Sequence, residues 1–248
     1  MDYISEYIDH VISILQSAKD NERAAVASAA ELLRDVTIAG GNVFAFGCSH
    51  AGLLALELYY RTGGMATINP IRAPGLNLDV DPATLTSQME RLGEYGRHIA
   101  DASPMKAGDV IIIHSVSGRN TVTVDLAQRS REKGVKVIAL TNMTTSSRVS
   151  SRHPSGLNLY QCADIVINNG GDYGDSSIEV PGVPEKIGPT STAVGAALLN
   201  ALVVQTAALI AQSGKTPPVF VSANVPGGDE HNAKMMAEYK DHIFYMGH

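Results

Sequence analysis

Asp109-Val-Ile-Ile-Ile-His-Ser-Val-Ser-Gly-Arg-Asn-Thr121 is the stretch that decides the fold. Val110 to Ile113 are four consecutive apolar β-branched residues, the composition of a strand buried on both faces. They run into a small hydroxyl-rich turn, Ser115-Val-Ser-Gly118, and a helical pattern follows through Val122, Val124, Leu126 and Ala127. Strand, small polar turn and helix is how open α/β proteins build anion sites. The helix N-terminus offers unpaired N–H groups and partial positive charge, and short hydroxyls add donors. The stretch therefore predicts a grip on a phosphate or similar anion.

The same alternation extends outward. Downstream, a helix over 119–133 ends at Gly134, a strand covers 135–140, and another covers 165–167. Upstream, Val43 to Phe46 read as a strand, Gly47-Cys-Ser-His-Ala-Gly52 as a turn, and Leu53, Leu54, Leu56 and Tyr60 as the helix leaving it. Met65 to Ile71 give a further strand, and a helix is predicted over 83–102. Residues 143–158 and 168–189 read as long polar loops, and 190–212 as an apolar helix. Strands alternating with helices mean a mostly parallel sheet in an αβα sandwich, with ligands at the carboxyl ends of the strands. The organisation expected is one domain. Residues 1–40 form helices packed on the core or an interface, 41–215 the core, and 216–248 a tail of the same domain.

Composition narrows the classes. The chain has 248 residues, 44% of them apolar, and a formal charge of −6. An acidic chain with no tryptophan and few aromatic residues is a poor nucleic-acid binder. No run of about 18 apolar residues stands out, so no membrane partner is expected. The N-terminus lacks a basic and apolar leader, and Cys48 and Cys162 are isolated, which favours a cytoplasmic location and neither metal nor other cofactor.

The first turn, Gly47 to Gly52, is neither a dinucleotide fingerprint nor a phosphate-binding loop ending in Gly-Lys-Ser/Thr. The second turn is richer, with Ser115, Ser117, Asn120 and Thr121 around one helix N-terminus, where ordinary capping needs a single such residue. Arg119 supplies charge to an anion there or is solvated.

These turns, with Lys133-Gly-Val-Lys-Val-Ile-Ala-Leu-Thr141 and Gly188-Pro-Thr-Ser-Thr192, resemble the sugar isomerase (SIS) domain family over about residues 20 to 213. The likeness is greatest to the phosphoheptose isomerases and to an uncharacterised bacterial branch. It implies a five-stranded parallel αβα sandwich that pairs into a homodimer or homotetramer, with Ser115, Ser117 and Asn120 contacting a sugar's phosphate and Ser49 its sugar. Asn120 stands where the family has Thr or Ser, with Thr121 one step later.

Aldose–ketose isomerisation moves a proton between C1 and C2 and needs a general base and a general acid. The resemblance assigns Glu57 as the catalytic carboxylate; the ordinary alternative is an i,i+4 pair with Arg61. His50, at the mouth of the first turn, is the second candidate, because imidazole is a side chain suited to proton transfer. The family's second catalytic group, a His, falls at Asn200 here, so His50 or His231 of the Asp229-Glu-His-Asn232 cluster takes its place or the reaction differs. His231 equally fits a surface turn. Arg148, Arg152 and His153 meet the phosphate's second charge or are solvated; His114 is read as structural, and His242 and His248 as solvated. The rival readings are a lyase like the N-acetylmuramic acid 6-phosphate etherases and a non-catalytic phosphosugar sensor.

Overall fold

In the computed structural model, which describes residues 2–246, five strands form one parallel sheet. They are β1 (Val43–Gly47), β2 (Ile68–Pro70), β3 (Val110–His114), β4 (Lys136–Thr141) and β5 (Ile165–Asn168), in the order β2-β1-β3-β4-β5. All of β1 and β3 is buried, as their unbroken apolar runs require of central parallel strands. The two-residue period of a strand divides the core. Val43, Ala45, Val110, Ile112, Ile138 and Leu140 face one side, and Phe44, Phe46, Ile111, Ile113, Val137 and Ala139 the other.

The helices are α1 (Tyr3–Asn21), α2 (Arg23–Ile38), α3 (Gly52–Leu58), α4 (Leu85–Met89), α5 (Tyr95–Ala102), α6 (Thr121–Glu132), α7 (Met143–Ser146), α8 (Ser191–Gln212) and α9 (Gly228–Glu238). The first core packs under α1, α2, α3 and α8, and the second under α5 and α6. Helix α8 carries no charged residue and is long and apolar enough to cross a membrane by length and composition, which the sequence reading did not assign. Here it is a core helix, burying Val194, Leu198, Leu199, Leu202, Val203 and Ile210.

Five expectations change. The helix leaving the first turn stops at Leu58, because Tyr59 is extended and Tyr60 takes a left-handed φ of 45°. The strand expected over Met65 to Ile71 is only Ile68–Pro70, with Met65 bridging Val219 of the tail instead. The helix over 83–102 is two short helices, because Glu94 adopts a left-handed φ of 64° and redirects the chain between them. The 168–189 loop contains a hairpin of β6 (Ser176–Ile178) and β7 (Ile187–Pro189). It is held by Asp172 on His10 (2.6 Å) and by Asp175, which accepts from the backbone N–H groups of Thr190 and Ser191 at the start of α8. The 143–158 loop opens with α7 and is pinned by the buried Asn158, whose amide donates to the carbonyls of Ser146 and Val149. In the hairpin, partners distant in sequence supply the order that local composition lacks, whereas Asn158 orders its own loop from within.

β1 has β2 on one side and β3 on the other, with Gly47 opposite His114. The winding reverses there, which puts the crevice at the carboxyl ends of β1 and β3, where the two turns emerge.

Candidate functional site at the carboxyl edge of the sheet

The turn after β3 is built by its own hydroxyls and by two segments that fold onto it. Ser115 Oγ accepts from the Gly118 N–H (3.2 Å), and Gly118 takes φ 61°. A β-carbon at Gly118 would sit 3.0 Å from Ser146 Oγ and 3.1 Å from Leu159 Cβ, so glycine keeps the turn close to the loop behind it. The Ser117 hydroxyl has no hydrogen-bond partner among the described residues and stays available. Arg119 Nε is buried without a partner, while its Nη2 reaches Ser150 Oγ at 3.4 Å.

Asn120 does not stand as a free donor. It is buried, makes no cap bond to α6, and its Oδ1 accepts from Arg152 Nη1 at 2.7 Å. Thr121 Oγ1 donates to the Arg152 carbonyl (3.3 Å), and the Arg152 N–H donates to the Arg119 carbonyl (2.8 Å). The longer reach of Asn over Thr or Ser thus locks the 147–158 segment onto the turn. Burial, then repulsion from Arg91 and Arg119, pulls the Arg152 guanidinium below its usual range. Three guanidiniums therefore share this end of α6. Of the loop cations named from sequence, only Arg152 arrives here. Arg148 stacks over Tyr173, and His153 is held between Asp125 (2.9 Å) and Ser155 (2.7 Å).

The first turn lies alongside. Ser49 takes φ 54°, a strained value for a residue with a side chain, and its N–H donates to the Leu76 carbonyl at 2.7 Å. His50 is exposed, and its ring makes no hydrogen bond among the described residues, though its carbonyl accepts from the Gly52 N–H. Cys48 is buried, and burial followed by the charge of Glu90 pushes its thiol up to about 12, so it is not a thiolate nucleophile. His114 ends β3 fully enclosed. Its Nδ1 lies 3.1 Å from the Ala51 carbonyl, its Nε2 has no partner, and burial pushes it down to about 4, so the ring is neutral.

Sequence reasoning passed over Glu90 and Arg91. The 71–94 segment crosses the carboxyl edge, and the Val122 N–H donates to the Glu90 carbonyl (3.2 Å). Burial holds the Glu90 carboxyl above the usual range, opposed by hydrogen bonding from Asn120 and by Arg91 and Arg152. No local spacing signals this, because its partners are some 30 and 60 positions away.

Glu57 sits elsewhere, on α3 in the layer over the first core. It pairs with Arg61, four positions on and past the end of α3, and Asn200 Nδ2 donates to the same oxygen, Oε1, at 2.9 Å. The carboxylate is thus partnered rather than isolated. His231 lies on α9, exposed, with Nε2 3.1 Å from the Val219 carbonyl. Asn232 bonds both backbone groups of Val221, so this cluster fastens the tail. His242 is not solvated, since its Nδ1 meets Asn42 Oδ1 at 2.9 Å; His248 lies outside the described residues. Among the described residues no three His, Cys, Asp or Glu side chains converge as metal ligands would. A groove of about 540 Å³ between β2, α5 and the tail, lined by Phe44, Arg72, Tyr95, His98, Phe244 and Tyr245, shares no residue with the turn.

Comparison with known proteins agrees with this architecture. The SIS domain family model matches residues 6–142. The UPF0309 protein of Oceanobacillus iheyensis is 42% identical over 246 residues, covering 99% of this chain and all of that one. The UPF0309 protein of Streptomyces coelicolor is 39% identical over 241 residues, 97% of this chain and 96% of its own. Among solved structures, a phosphoheptose isomerase from Francisella tularensis superposes with a TM-score of 0.54 at 18% identity, covering 83% of this chain and 96% of that one. A phosphoheptose isomerase from Neisseria gonorrhoeae gives a TM-score of 0.53 at 19% identity, over 83% of this chain and 98% of that one. At such identities the structural likeness speaks for the fold alone. The chain belongs to the SIS domain family, within its UPF0309 branch.

Proposed function

We propose that this protein binds a sugar phosphate at the carboxyl edge of the sheet and interconverts its aldose and ketose forms. The observation that carries the reading is the 2.9 Å contact between Asn200 and Glu57. The resemblance gave proton transfer to Glu57 and the second catalytic position to residue 200, and the fold brings those two positions together from α3 and α8.

The Ser117 hydroxyl, the N-terminus of α6 and the guanidinium of Arg119 supply donors and positive charge for the phosphate. Holding the phosphate fixes the carbon chain, so binding energy far from the reacting carbons is used to orient them. Glu57 carries the proton between C2 and C1. Its Oε1 is held by Arg61 and Asn200, and Oε2 has no hydrogen-bond partner among the described residues. His50, exposed at the mouth of the first turn, assists; His231 does so only if another subunit presents it, since in its own chain it ties down the tail. The working unit is a homo-oligomer. Helix α1 exposes Ile4, Ile8 and Ile12 in one stripe and α8 exposes Val204, an apolar surface suited to a second subunit.

One observation favours a phosphosugar sensor as the second reading: Asn200 has no proton to transfer where the family has His. A thermal-shift screen of hexose, heptose, pentose and amino-sugar phosphates, followed by NMR of bound candidates in D2O, separates the two. A ligand raises Tm by mass action in both cases. Deuterium entering C1 or C2, and lost in Glu57→Gln with the thermal shift retained, is the isomerase result. Binding without exchange is the sensor result. If other anions shift Tm and no sugar phosphate does, the sugar assignment fails.

A further inference from the structure

The groove of about 540 Å³ between β2, α5 and the tail lies apart from the anion turn, and the reaction as described gives it no role. Its size falls within the roughly 300–1,000 Å³ of small-molecule sites. Its walls are fixed by contacts remote in sequence. The buried Phe44 of β1 stacks on Phe244 of the tail, with centroids 5.7 Å apart and planes 13° from parallel. Asn69 of β2 holds that tail segment by both ends of its amide: Nδ2 donates to the His242 carbonyl (3.0 Å), and Oδ1 accepts from the Phe244 N–H (2.8 Å). The Tyr245 hydroxyl donates to the Ala66 carbonyl at 2.8 Å. On the α5 side, the Tyr95 hydroxyl donates to the Pro74 carbonyl at 2.8 Å. The aromatic walls therefore stand in place before a ligand arrives, and little ordering entropy is lost on binding.

Charge at the groove is one-sided. Arg72 and His98 line it, and among the described residues no aspartate or glutamate does. The Arg72 guanidinium sits over the Tyr59 ring, 5.9 Å from its centroid, and makes no hydrogen bond or ion pair among the described residues. The His98 ring has no hydrogen-bond partner among them either. The neighbouring cation of α5 differs: Arg97 is paired with Glu132 at 2.6 Å. An unpaired guanidinium beside apolar walls complements an acid group carried on an apolar body. Aromatic walls take a flat ring, and the planar fork of N–H donors takes a carboxylate or sulfonate. A bare phosphate or a sugar phosphate has no apolar face to bury here. We propose that this groove is a second ligand site, which takes an aromatic carboxylate or a similar flat apolar anion. Arg72 meets the acid group, and Tyr95, Phe244 and Tyr245 meet the ring. The site stands apart from the sugar-phosphate reading and does not depend on it.

Cinnamate and its uncharged counterpart cinnamyl alcohol are the probes, with binding to the full chain read by calorimetry. Cinnamate binds about tenfold more tightly than the alcohol or better, because a charge-assisted contact adds to the same ring burial. In Arg72→Gln the two affinities converge and that of the alcohol is unchanged. Ala102→Trp places an indole in the groove from an exposed position at the end of α5 and removes binding of both probes. Phe244→Ala removes the exposed half of the Phe44–Phe244 stack and weakens both about fivefold or more. It reads the location a second time, whatever the tryptophan variant does to folding. Ser117→Ala, at the anion turn, leaves both affinities as they were. Cinnamate binding that survives Ala102→Trp and Phe244→Ala, or that is lost in Ser117→Ala, puts the probe elsewhere and overturns the site. Equal wild-type affinities for the two probes, or a preference for cinnamate that survives Arg72→Gln, overturns the assignment of an anion to Arg72. Cinnamate that fails to bind the wild type at millimolar concentration overturns the proposal as a whole. None of these results bears on sugar-phosphate binding, which the thermal-shift screen tests separately.

Discussion

Glu57 and Glu90 occupy contrasting surroundings. Glu57 projects from α3 with its side chain 31% exposed, and Arg61 and Asn200 both address one of its oxygens. Glu90 stands at the carboxyl edge, partly buried, with charges of both signs near and no ion pair closed. The Arg61 contact of Glu57 joins α3 to the chain just past its end and is written in the i,i+4 spacing; its Asn200 contact comes from α8. The surroundings of Glu90 come from three segments, 90–91, 119–122 and 152, brought together by the sheet beneath them. A carboxylate with a local partner is easily read and well satisfied. One whose environment is wholly tertiary can be held in a state that solvent would not allow.

The largest test of this contrast is the packing that supports the Glu90 side. A β-carbon on Gly96 in α5 would fall 2.1 Å from the Val122 carbonyl oxygen and 2.7 Å from the Leu126 nitrogen, both backbone atoms of α6. Gly96→Ala should cost about 3 kcal/mol or more in denaturant unfolding. A cost near zero would mean that α6 and the turn at its start yield freely, and the contrast between a rigid edge and a simple local pair would be lost.

Next comes the acid limb of stability from His114, which lies at the end of β3 against the first turn. Burial first, opposed by its bond to Ala51 and by Asp175, depresses its pKa to about 4 from 6.5. Below 6.5 the unfolded chain takes up a proton that the native ring refuses. Stability contributed by this site is therefore full above that value and is lost as pH falls toward 4. The loss approaches about 3 kcal/mol. Denaturant titrations of the wild type and His114→Gln between pH 7 and 4 should show a steeper fall in the wild type. Parallel curves would mean that the ring is not enclosed as described.

A smaller effect belongs to Arg152→Ala. It frees Asn120 and removes a positive charge from the turn, so sulfate affinity should drop about tenfold by calorimetry. It also raises the Glu90 carboxyl further, because one of the charges opposing burial is gone. Sulfate affinity equal to the wild type would detach Arg152 from the anion site. The smallest is Arg61→Ala on the Glu57 side. An i,i+4 pair whose members are 44% and 31% exposed contributes about 0.5 kcal/mol or less. A change in melting beyond about 1 kcal/mol would show that Glu57 is the more deeply embedded of the two carboxylates.

Much of the scaffold was legible because the forces that set it are local or periodic. Val110 to Ile113 have no polar side to offer solvent, so they had to be a central strand, and the hydroxyl turn after them had to emerge at the carboxyl edge. The site was legible in part. Ser117 and the turn were found from composition, and Glu57 and residue 200 from resemblance. The use of Asn120 to hold Arg152 was not, because an amide at a helix start reads as a cap until its partner is known. Nor was the break at Glu94, which divides a pattern that is continuous in spacing.

The sequence by itself determined the strands of the parallel sheet, the burial of its central ones, the order of turns along the chain and the kind of group that the second turn can hold. Each follows from side-chain polarity at periods of two and about 3.6 residues. Only the tertiary structure decided which charges meet. Glu90, Asn120 and Arg152 are remote along the chain, and a carboxyl's protonation depends on desolvation and on neighbours within a few ångströms, which no spacing encodes.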